Sequence, residues 1–83
     1  MLNPDNFSEI EFKILKILFS GMRFMSTKEI SVKTGYAWET CLSYLKELYE
    51  GGYVLVKKTT KQQNTSLLWK FNYERYRDLK KQS

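Results

Sequence analysis

Residues Thr34–Val54, TGYAWETCLSYLKELYEGGYV, contain the clearest structural pattern of the chain. The apolar residues of this segment recur at intervals of three and four positions, so they share one face of an α-helix over about residues 37–50. They are Cys41, Tyr44, Leu45 and Leu48. Gly35 allows a tight turn before the helix, and Gly51-Gly52 can end it at positive φ. The segment therefore predicts a helix between a sharp turn and an apolar strand that begins near Tyr53.

The same helix has a polar outer face and an aromatic flank. Successive residues are about 100° apart, so the residues opposite Cys41 point away from the core. They are Glu39, Ser43, Lys46 and Glu50. A ridge along one flank is formed by Trp38, Leu42 and Tyr49. A helix divided in this way packs one side on a core and presents the other to solvent or to a partner.

Two upstream segments begin with helix-capping signals of the form Ser-x-x-Glu. The first, at Ser8, opens a helix over about residues 9–19. The second, at Ser26, opens a short helix over about residues 27–33, in which Val32 is expected to point inward with the other apolar side chains. The first helix needs a covering surface, because its apolar residues form one broad face.

The region after the central helix predicts a β-hairpin. Residues 53–56, YVLV, and 67–71, LLWKF, are rich in β-branched and aromatic side chains. Residues 57–64 between them are polar and predict a loop longer than a two-residue turn. Residues 23–25 are a candidate third strand, since an isolated hairpin is only marginally stable in water.

Length and composition indicate one small folded unit. The chain has 83 residues, of which 42% are hydrophobic and 16% aromatic, as in globular rather than disordered proteins. No apolar run approaches the ~20 residues of a membrane-spanning helix, and the N-terminus lacks the pattern of a secretory signal. We expect a single intracellular, cytoplasmic domain over residues 1–83, with an irregular lead-in at residues 1–7.

The reactive side chains argue against an enzyme. Cys41 is the only cysteine, and the chain contains no histidine, so we expect no disulfide, no metal site and no cofactor. Histidine is also the commonest general base, and no glycine-rich phosphate loop or paired-carboxylate spacing replaces it. Cys41 is expected to be a small apolar residue of the core.

Charge is unevenly distributed along the chain. Residues 1–50 carry six basic and seven acidic side chains, whereas residues 51–83 carry eight basic and two acidic ones, which together give the net charge of +5. A basic segment attracts polyanions, and nucleic acid is the commonest such partner of a small globular domain. The alternative is a charged surface that only keeps the protein soluble.

The pattern TGYAWETCLSYLKELYEGGYVLV, with the element order helix, short strand, two helices, hairpin and helix, resembles the winged helix-turn-helix domain of MarR-like and ArsR-like proteins in a compact archaeal or viral form. The resemblance covers about Ser8 to Phe71. It implies an α+β fold with a three-helix core, a β-hairpin wing and a C-terminal helix. It also implies binding of double-stranded DNA, with the third helix in the major groove and the wing on the backbone.

Residue by residue, the resemblance implies a DNA contact set in two parts. The positions on the recognition helix are Trp38, Glu39, Leu42, Ser43 and Lys46. The positions on the wing, within about residues 57–66, are Lys57, Lys58, Lys61, Gln62, Gln63 and Asn64. The chain departs from the family pattern at Ala37, where Ser or Thr usually caps the recognition helix. It also has no Arg or Lys in the first two turns of that helix, although these residues most often read guanine.

Each contact has a structural alternative. Trp38 can be half buried against Leu42 or Tyr49, Glu39 can simply favour the positive end of its helix, and the wing lysines can protect an exposed hairpin. For the whole chain we expect a sequence-specific DNA-binding transcriptional regulator. The alternative is a winged-helix module for protein–protein interaction in a larger complex.

The tail predicts a helix within residues 72–83 that carries a narrow apolar stripe. The stripe consists of Tyr73, Tyr76 and Leu79. A helix this short is unstable alone in water, so the stripe packs either on the first helix of the same chain or on a second copy. We expect a homodimer through this helix and the first helix, because two recognition helices lengthen the DNA site and raise affinity.

Overall fold

The computed structural model describes residues 7–61 and 64–75, with the backbone alone at Lys61 and Asn64. Its elements are α1 (Glu9–Gly21), β1 (Met25–Ser26), α2 (Thr27–Thr34), α3 (Trp38–Glu50), β2 (Val54–Lys61) and β3 (Asn64–Phe71). Residues 73–75 form one further helical turn. Three helices combined with a small antiparallel sheet confirm the predicted α+β fold class.

β2 and β3 form a long hairpin to which β1 adds a third strand. The strand order is β1-β3-β2, and both pairings are antiparallel. Val54 lies opposite Phe71 at the base of the hairpin, and Lys61 lies opposite Asn64 at its far end. Only two residues therefore connect the strands, and the prediction of a longer loop is wrong. Residues 57–60 are polar although they belong to β2, because the outer half of the hairpin leaves the core and Lys57, Lys58 and Thr60 are exposed there.

The core lies where the three helices pack on the inner face of the sheet. Its buried apolar residues are Ile14, Leu15, Leu18, Met25, Ile30, Cys41, Leu45, Leu48, Val54, Trp69 and Phe71. The indole Nε1 of Trp69 donates a hydrogen bond of 2.8 Å to Thr27 Oγ1, so the polar end of this buried ring is satisfied. The same bond joins β3 to the first turn of α2 and sets the position of the wing against the helices.

Local hydrogen bonds define where the first two helices begin. At α1 the predicted capping box is confirmed: Ser8 Oγ accepts from the Glu11 N–H, and the Glu11 carboxylate accepts from the Ser8 N–H. At α2 Ser26 Oγ accepts from the Glu29 N–H at 3.1 Å. The Glu29 carboxylate, however, accepts from the Arg23 guanidinium. The second box is half formed, because a charged donor outcompetes a backbone N–H for the carboxylate.

Two further predicted positions are wrong. The short strand consists of Met25–Ser26 rather than residues 23–25. Val32, which spacing predicted to point inward, is 74% exposed. The residues that α2 buries are Thr27, Ile30 and Thr34. Two polar threonines with one isoleucine give α2 a weak apolar pattern. Helical spacing alone therefore does not show which face of α2 is buried.

The start of the C-terminal segment packs on α1. The Tyr73 hydroxyl donates to the Phe19 carbonyl oxygen at 2.5 Å, and the Tyr73 ring lies 5.0 Å from the Phe71 ring centre to centre. The sequence allows the apolar stripe to pack on the first helix of the same chain or on a second copy. Tyr73 packs on the first helix of its own chain. The rest of the predicted tail helix, with Tyr76 and Leu79, lies outside the described residues.

Candidate nucleic-acid interface

A short turn sets the position of α3 relative to α2. Gly35 has φ 80°, a left-handed conformation that costs a residue with a side chain about 1–2 kcal/mol. Ser31 Oγ donates to the Tyr36 carbonyl oxygen at 2.6 Å, and Thr34 Oγ1 accepts from the Tyr36 N–H at 3.3 Å. Side chains of α2 thus hold the turn. Ala37 then precedes α3 without a side-chain cap.

α3 has a buried face and a charged exposed surface. Its buried residues are Cys41, Leu45 and Leu48, with Tyr44 partly buried, so the predicted helical phase is confirmed. Its exposed residues are Trp38, Glu39, Ser43, Lys46, Glu47, Tyr49 and Glu50. Three glutamates and one lysine give α3 a net charge of −2. The helix alone therefore repels a polyanion, and any attraction has to come from its surroundings.

A cleft of about 270 Å³ separates α3 from the wing, and we call it the wing-side cleft. It is lined by Ser26, Thr27, Lys28, Trp38, Leu42, Thr65, Ser66 and Leu67. Trp38 is 50% exposed and shares the cleft with the partly buried Leu42. Lys28 is the one charged residue in this lining, and no carboxylate belongs to it. The cleft thus combines an apolar wall with a hydroxyl-rich and basic rim.

The opposite flank of α3 faces α1 and is acidic. A broader depression of about 450 Å³ lies there, and we call it the α1-side depression. It is lined by Ile10, Glu39, Thr40, Ser43, Tyr44 and Glu47. The expected helix contacts are therefore divided between two flanks. Trp38 and Leu42 lie on the wing side, whereas Glu39 and Ser43 lie on the α1 side beside a second carboxylate that spacing did not single out, Glu47.

The two described wing lysines present their charges on different faces of the hairpin, because side chains alternate along a strand. Lys58 pairs with Leu67 on the inner face, which continues into the wing-side cleft. Lys57 lies on the outer face, where its Nζ is 5.8 Å from the centre of the Phe24 ring. Lys70 Nζ lies 5.6 Å from the same ring. Lys57 therefore takes part in a cation–π cluster away from α3.

The remaining expected wing contacts are at or beyond the end of the paired strands. Lys61 and Asn64 pair through their backbones as the last residues of β2 and β3. Gln62 and Gln63 lie outside the described residues. The position of the wing tip side chains relative to α3 thus remains a prediction.

Lys28 is a candidate contact that sequence reasoning missed. It is exposed in the first turn of α2 and lines the wing-side cleft. The cleft forms where the pairing of β1 with β3 and the Trp69–Thr27 hydrogen bond hold the start of α2 against β3. The sequence of α2 alone does not predict its contact with β3. The available signal is a lysine two residues after the Ser26 cap, next to a buried Thr27 in the first turn of α2.

Glu29, one residue after Lys28, is neutralised by neighbouring cations. Arg23 Nη1 donates to Glu29 Oε1 at 3.1 Å, and Nη2 contacts the other carboxylate oxygen. These hydrogen bonds hold the pKa of Glu29 below its ordinary value and raise the pKa of Arg23. Lys33 Nζ lies 4.0 Å from the same carboxylate. The negative charge of Glu29 is thus offset locally and does not oppose Lys28.

The described residues contain neither a metal-binding cluster nor a membrane-spanning helix. Within residues 7–61 and 64–75 no group of three or more His, Cys, Asp or Glu side chains is placed to hold a metal ion. None of the helices in these two ranges has the length and apolar character to cross a bilayer.

Solved structures with the same fold come from regulatory proteins of very different sequence. A Methanosarcina mazei Go1 protein, described as a possible transcriptional regulator, is 14% identical with a TM-score of 0.79 over 88% of this chain and 63% of its own. ZitR, a zinc-responsive MarR family member of Lactococcus lactis, is 18% identical with a TM-score of 0.67 over 82% of this chain and 45% of its own. This chain therefore spans less than two thirds of either protein.

A smaller protein matches along nearly its whole length. Stf76 from the Sulfolobus islandicus plasmid-virus pSSVx is 19% identical with a TM-score of 0.66, over 92% of this chain and 97% of its own. At identities this low, the likeness of all three structures establishes a shared fold.

Sequence comparison identifies the family. No curated protein sequence is significantly similar to this chain. The family model for winged helix-turn-helix DNA-binding domains matches residues 7–54, which is more than half of the chain and includes α1, α2 and α3. The resemblance seen in the sequence is thereby confirmed. The chain belongs to the winged helix-turn-helix DNA-binding family.

Proposed function

We propose that this protein is a sequence-specific, double-stranded DNA-binding transcriptional regulator that acts in the cytoplasm and has no enzymatic activity. The observation that carries the proposal is the position of α3, which lies between a tight turn and a long hairpin and has one exposed face. The cleft on its wing side is lined by a lysine and by no carboxylate. Such a helix fits the major groove, and the hairpin beside it reaches the neighbouring backbone.

The contact set divides by role. For base edges and adjacent phosphates we propose Trp38, Glu39, Leu42, Ser43 and Lys46. For the backbone we propose Lys57, Lys58, Lys61, Gln62, Gln63 and Asn64. Lys28 is added to the backbone group because it is exposed on the rim of the wing-side cleft. The basic group must outweigh the glutamates of α3, so affinity is expected to come mainly from phosphates.

The proposal also covers the domain boundaries and the oligomeric state. We propose one domain over residues 1–83 that acts as a homodimer through its C-terminal helix and α1. Phe19 and Met22, near the end of α1, are 39% and 72% exposed. They offer apolar surface beside Tyr73, where a second copy could bury the remaining stripe residues of the tail. A dimer would present two recognition helices to one site.

A fluorescence anisotropy titration tests the DNA-binding proposal. The full chain is titrated with a random duplex and with a duplex enriched by selection, each at two salt concentrations. We expect the selected duplex to bind about a thousandfold or more tightly, and log K to fall with log salt by about 0.9 per phosphate contact. Ser43→Ala with Lys46→Ala should reduce the preference among duplexes more than the affinity for random DNA. Val32→Ala, at an exposed position of α2, is the matched control.

A module for protein–protein interaction is the second candidate, and the acidic α1-side depression favours it. Glu39 and Glu47, beside the partly buried Tyr44, would suit a basic partner better than DNA. The titration separates the two candidates. Absence of binding to every duplex at low salt would refute the DNA-binding proposal and leave the interaction module.

A further inference from the structure

The wing-side cleft lies between the two elements that the proposed function assigns to DNA. If α3 occupies a major groove and the hairpin reaches the adjacent minor groove, one sugar-phosphate strand has to pass between them. On the basis of the proposed function, we infer that the wing-side cleft holds one sugar-phosphate unit of that strand. Its deoxyribose packs on Trp38 and Leu42, and its phosphate is bound at the rim by Lys28 and the hydroxyl of Thr65, which lies on the same face of β3 as Leu67.

The apolar wall of the cleft supports a sugar as its occupant. Trp38 is 50% exposed, whereas Trp69, the other tryptophan, is 2% exposed and hydrogen-bonded. Leu42 and Leu67 extend the indole surface into the cleft. An exposed indole beside two leucines forms an apolar surface whose contact with water is unfavourable. The CH₂ group at C2′ of a deoxyribose can pack on this surface and remove it from water.

The polar rim supports a phosphate beside that sugar. Lys28 provides an ammonium group, and Thr65, on the same face of β3 as Leu67, provides a hydroxyl donor. Lys58 adds a second positive charge, because it pairs with Leu67 on the same face of the hairpin. The α1-side depression, by contrast, contains Glu39 and Glu47. Of the two flanks of α3, only the wing side is therefore complementary to a polyanion.

This assignment changes the role of Trp38. A residue that packs on a sugar contributes to affinity for every duplex and reads no base. It also discriminates between sugars, since the 2′-hydroxyl of a ribose would lie against the indole without a hydrogen-bond partner. The cleft is thus a local selector for DNA over RNA within one nucleotide of each half-site.

A scan with single ribonucleotides tests the inference. Duplexes carry one ribonucleotide at successive positions of each strand, and the full chain is titrated with each. We expect one position per half-site at which the ribose weakens binding about tenfold, the cost of burying an unpaired hydroxyl. Trp38→Ala should weaken binding to the all-deoxy duplex by a similar factor and abolish the ribose effect. Tyr49→Ala is the matched control, because Tyr49 is 51% exposed on the same helix and does not line the cleft.

A second substitution on the DNA tests the rim independently of Trp38. A methylphosphonate next to the sensitive sugar should weaken binding to the native protein, and Lys28→Ala should remove most of that difference. Ribose sensitivity that is absent everywhere, or that persists in Trp38→Ala, would overturn the inference while duplex binding still upholds the proposed function. Failure to bind any duplex would refute both.

Discussion

Cys41 lies where the turn between α2 and α3 meets the core. Its side chain is fully buried, and its Sγ is 3.5 Å from Thr34 Oγ1 and 4.0 Å from the Tyr36 carbonyl oxygen. Helical spacing predicts the burial of this residue, but it cannot show these polar neighbours, because they belong to a turn whose path depends on Gly35. The thiol is therefore a partly polar contact rather than a purely apolar one.

The neighbours of Cys41 lower the expected cost of a serine in its place. A buried hydroxyl without a partner costs ~1–3 kcal/mol, but the hydroxyl of Cys41→Ser can bond to Thr34 or Tyr36. We expect a loss of about 1 kcal/mol in the free energy of unfolding, measured with urea. Leu45→Ala, which empties an equally buried position of α3, should cost ~2–5 kcal/mol. Equal losses for the two variants would contradict the partnered position of Cys41.

Tyr73 is the residue that joins the C-terminal segment to α1. Burial of its phenol raises the pKa of Tyr73, because the ionised form is poorly solvated there. Its hydroxyl also donates to the Phe19 carbonyl oxygen, which the ionised form cannot do. A raised folded-state pKa means that the contribution of Tyr73 is fully present below the unfolded pKa near 10 and is lost as pH rises through the folded pKa.

Tyr73→Phe isolates that contribution. The loss of this partly exposed hydrogen bond should lower the free energy of unfolding by about 1 kcal/mol or less at neutral pH. The difference from the native protein should shrink as pH rises above about 10, since the native protein then loses the same bond. Tyr49→Phe, at a half-exposed position of α3, is the control and should show neither effect. A difference that is constant up to high alkaline pH would show that Tyr73 does not titrate in this environment.

At the scale of elements, predictability followed the strength of the local pattern. α1 and α3 have strong apolar periodicity, and α1 also has a capping box, so spacing predicts both helices and the buried face of α3. α2 has a weak pattern, and its Val32 was assigned to the wrong side. The hairpin was predicted, but its length was not, because an exposed strand with two polar faces has the composition of a loop. The wing-side cleft was not predicted, since it depends on contacts between distant segments.

The wing provides a prediction from strand alternation. Lys58 lies on the inner face beside the wing-side cleft, and Lys57 lies on the outer face beside Phe24. Lys58→Ala should weaken binding to all duplexes alike and lower the salt slope by about 0.9, the loss of one phosphate contact. Lys57→Ala should lower the slope by less, because the Lys57 ammonium also contacts the Phe24 ring on the outer face. Salt-dependent anisotropy titrations measure both, and equal reductions for the two variants would place DNA on both faces of the wing.

Positive and negative charges are concentrated in different parts of the molecule. The net charge of +5 arises from residues 51–83, whereas α3, the helix proposed for the major groove, carries a net −2. We therefore expect electrostatic attraction to DNA to come from residues 51–83 and little of it from α3. Doubling the domain is the direct way to strengthen binding, since the second contact becomes intramolecular once the first has formed.

The proposed dimer can be tested without disturbing the contact between Tyr73 and α1. A chain ending at Asn72 would lose that contact and with it stability, so a variant that keeps Tyr73 is the better probe. Tyr76→Ser with Leu79→Ser removes the other two stripe residues, and Met22→Asn removes exposed apolar surface while tolerating the left-handed conformation at φ 56°.

We expect the native protein to sediment as a dimer at micromolar concentration without DNA. The triple variant Met22→Asn, Tyr76→Ser, Leu79→Ser should sediment as a monomer that still unfolds cooperatively, with a melting temperature lowered only by the loss of association. The native dimer should select an inverted repeat with half-sites about 34 Å apart, one turn of the double helix, because a two-fold axis relates its recognition helices. The triple variant should keep weak half-site binding and lose the gain from the second half-site. A native protein that sediments as a monomer and selects one asymmetric site would exclude the dimer, and the tail would then serve only to cover α1 of its own chain.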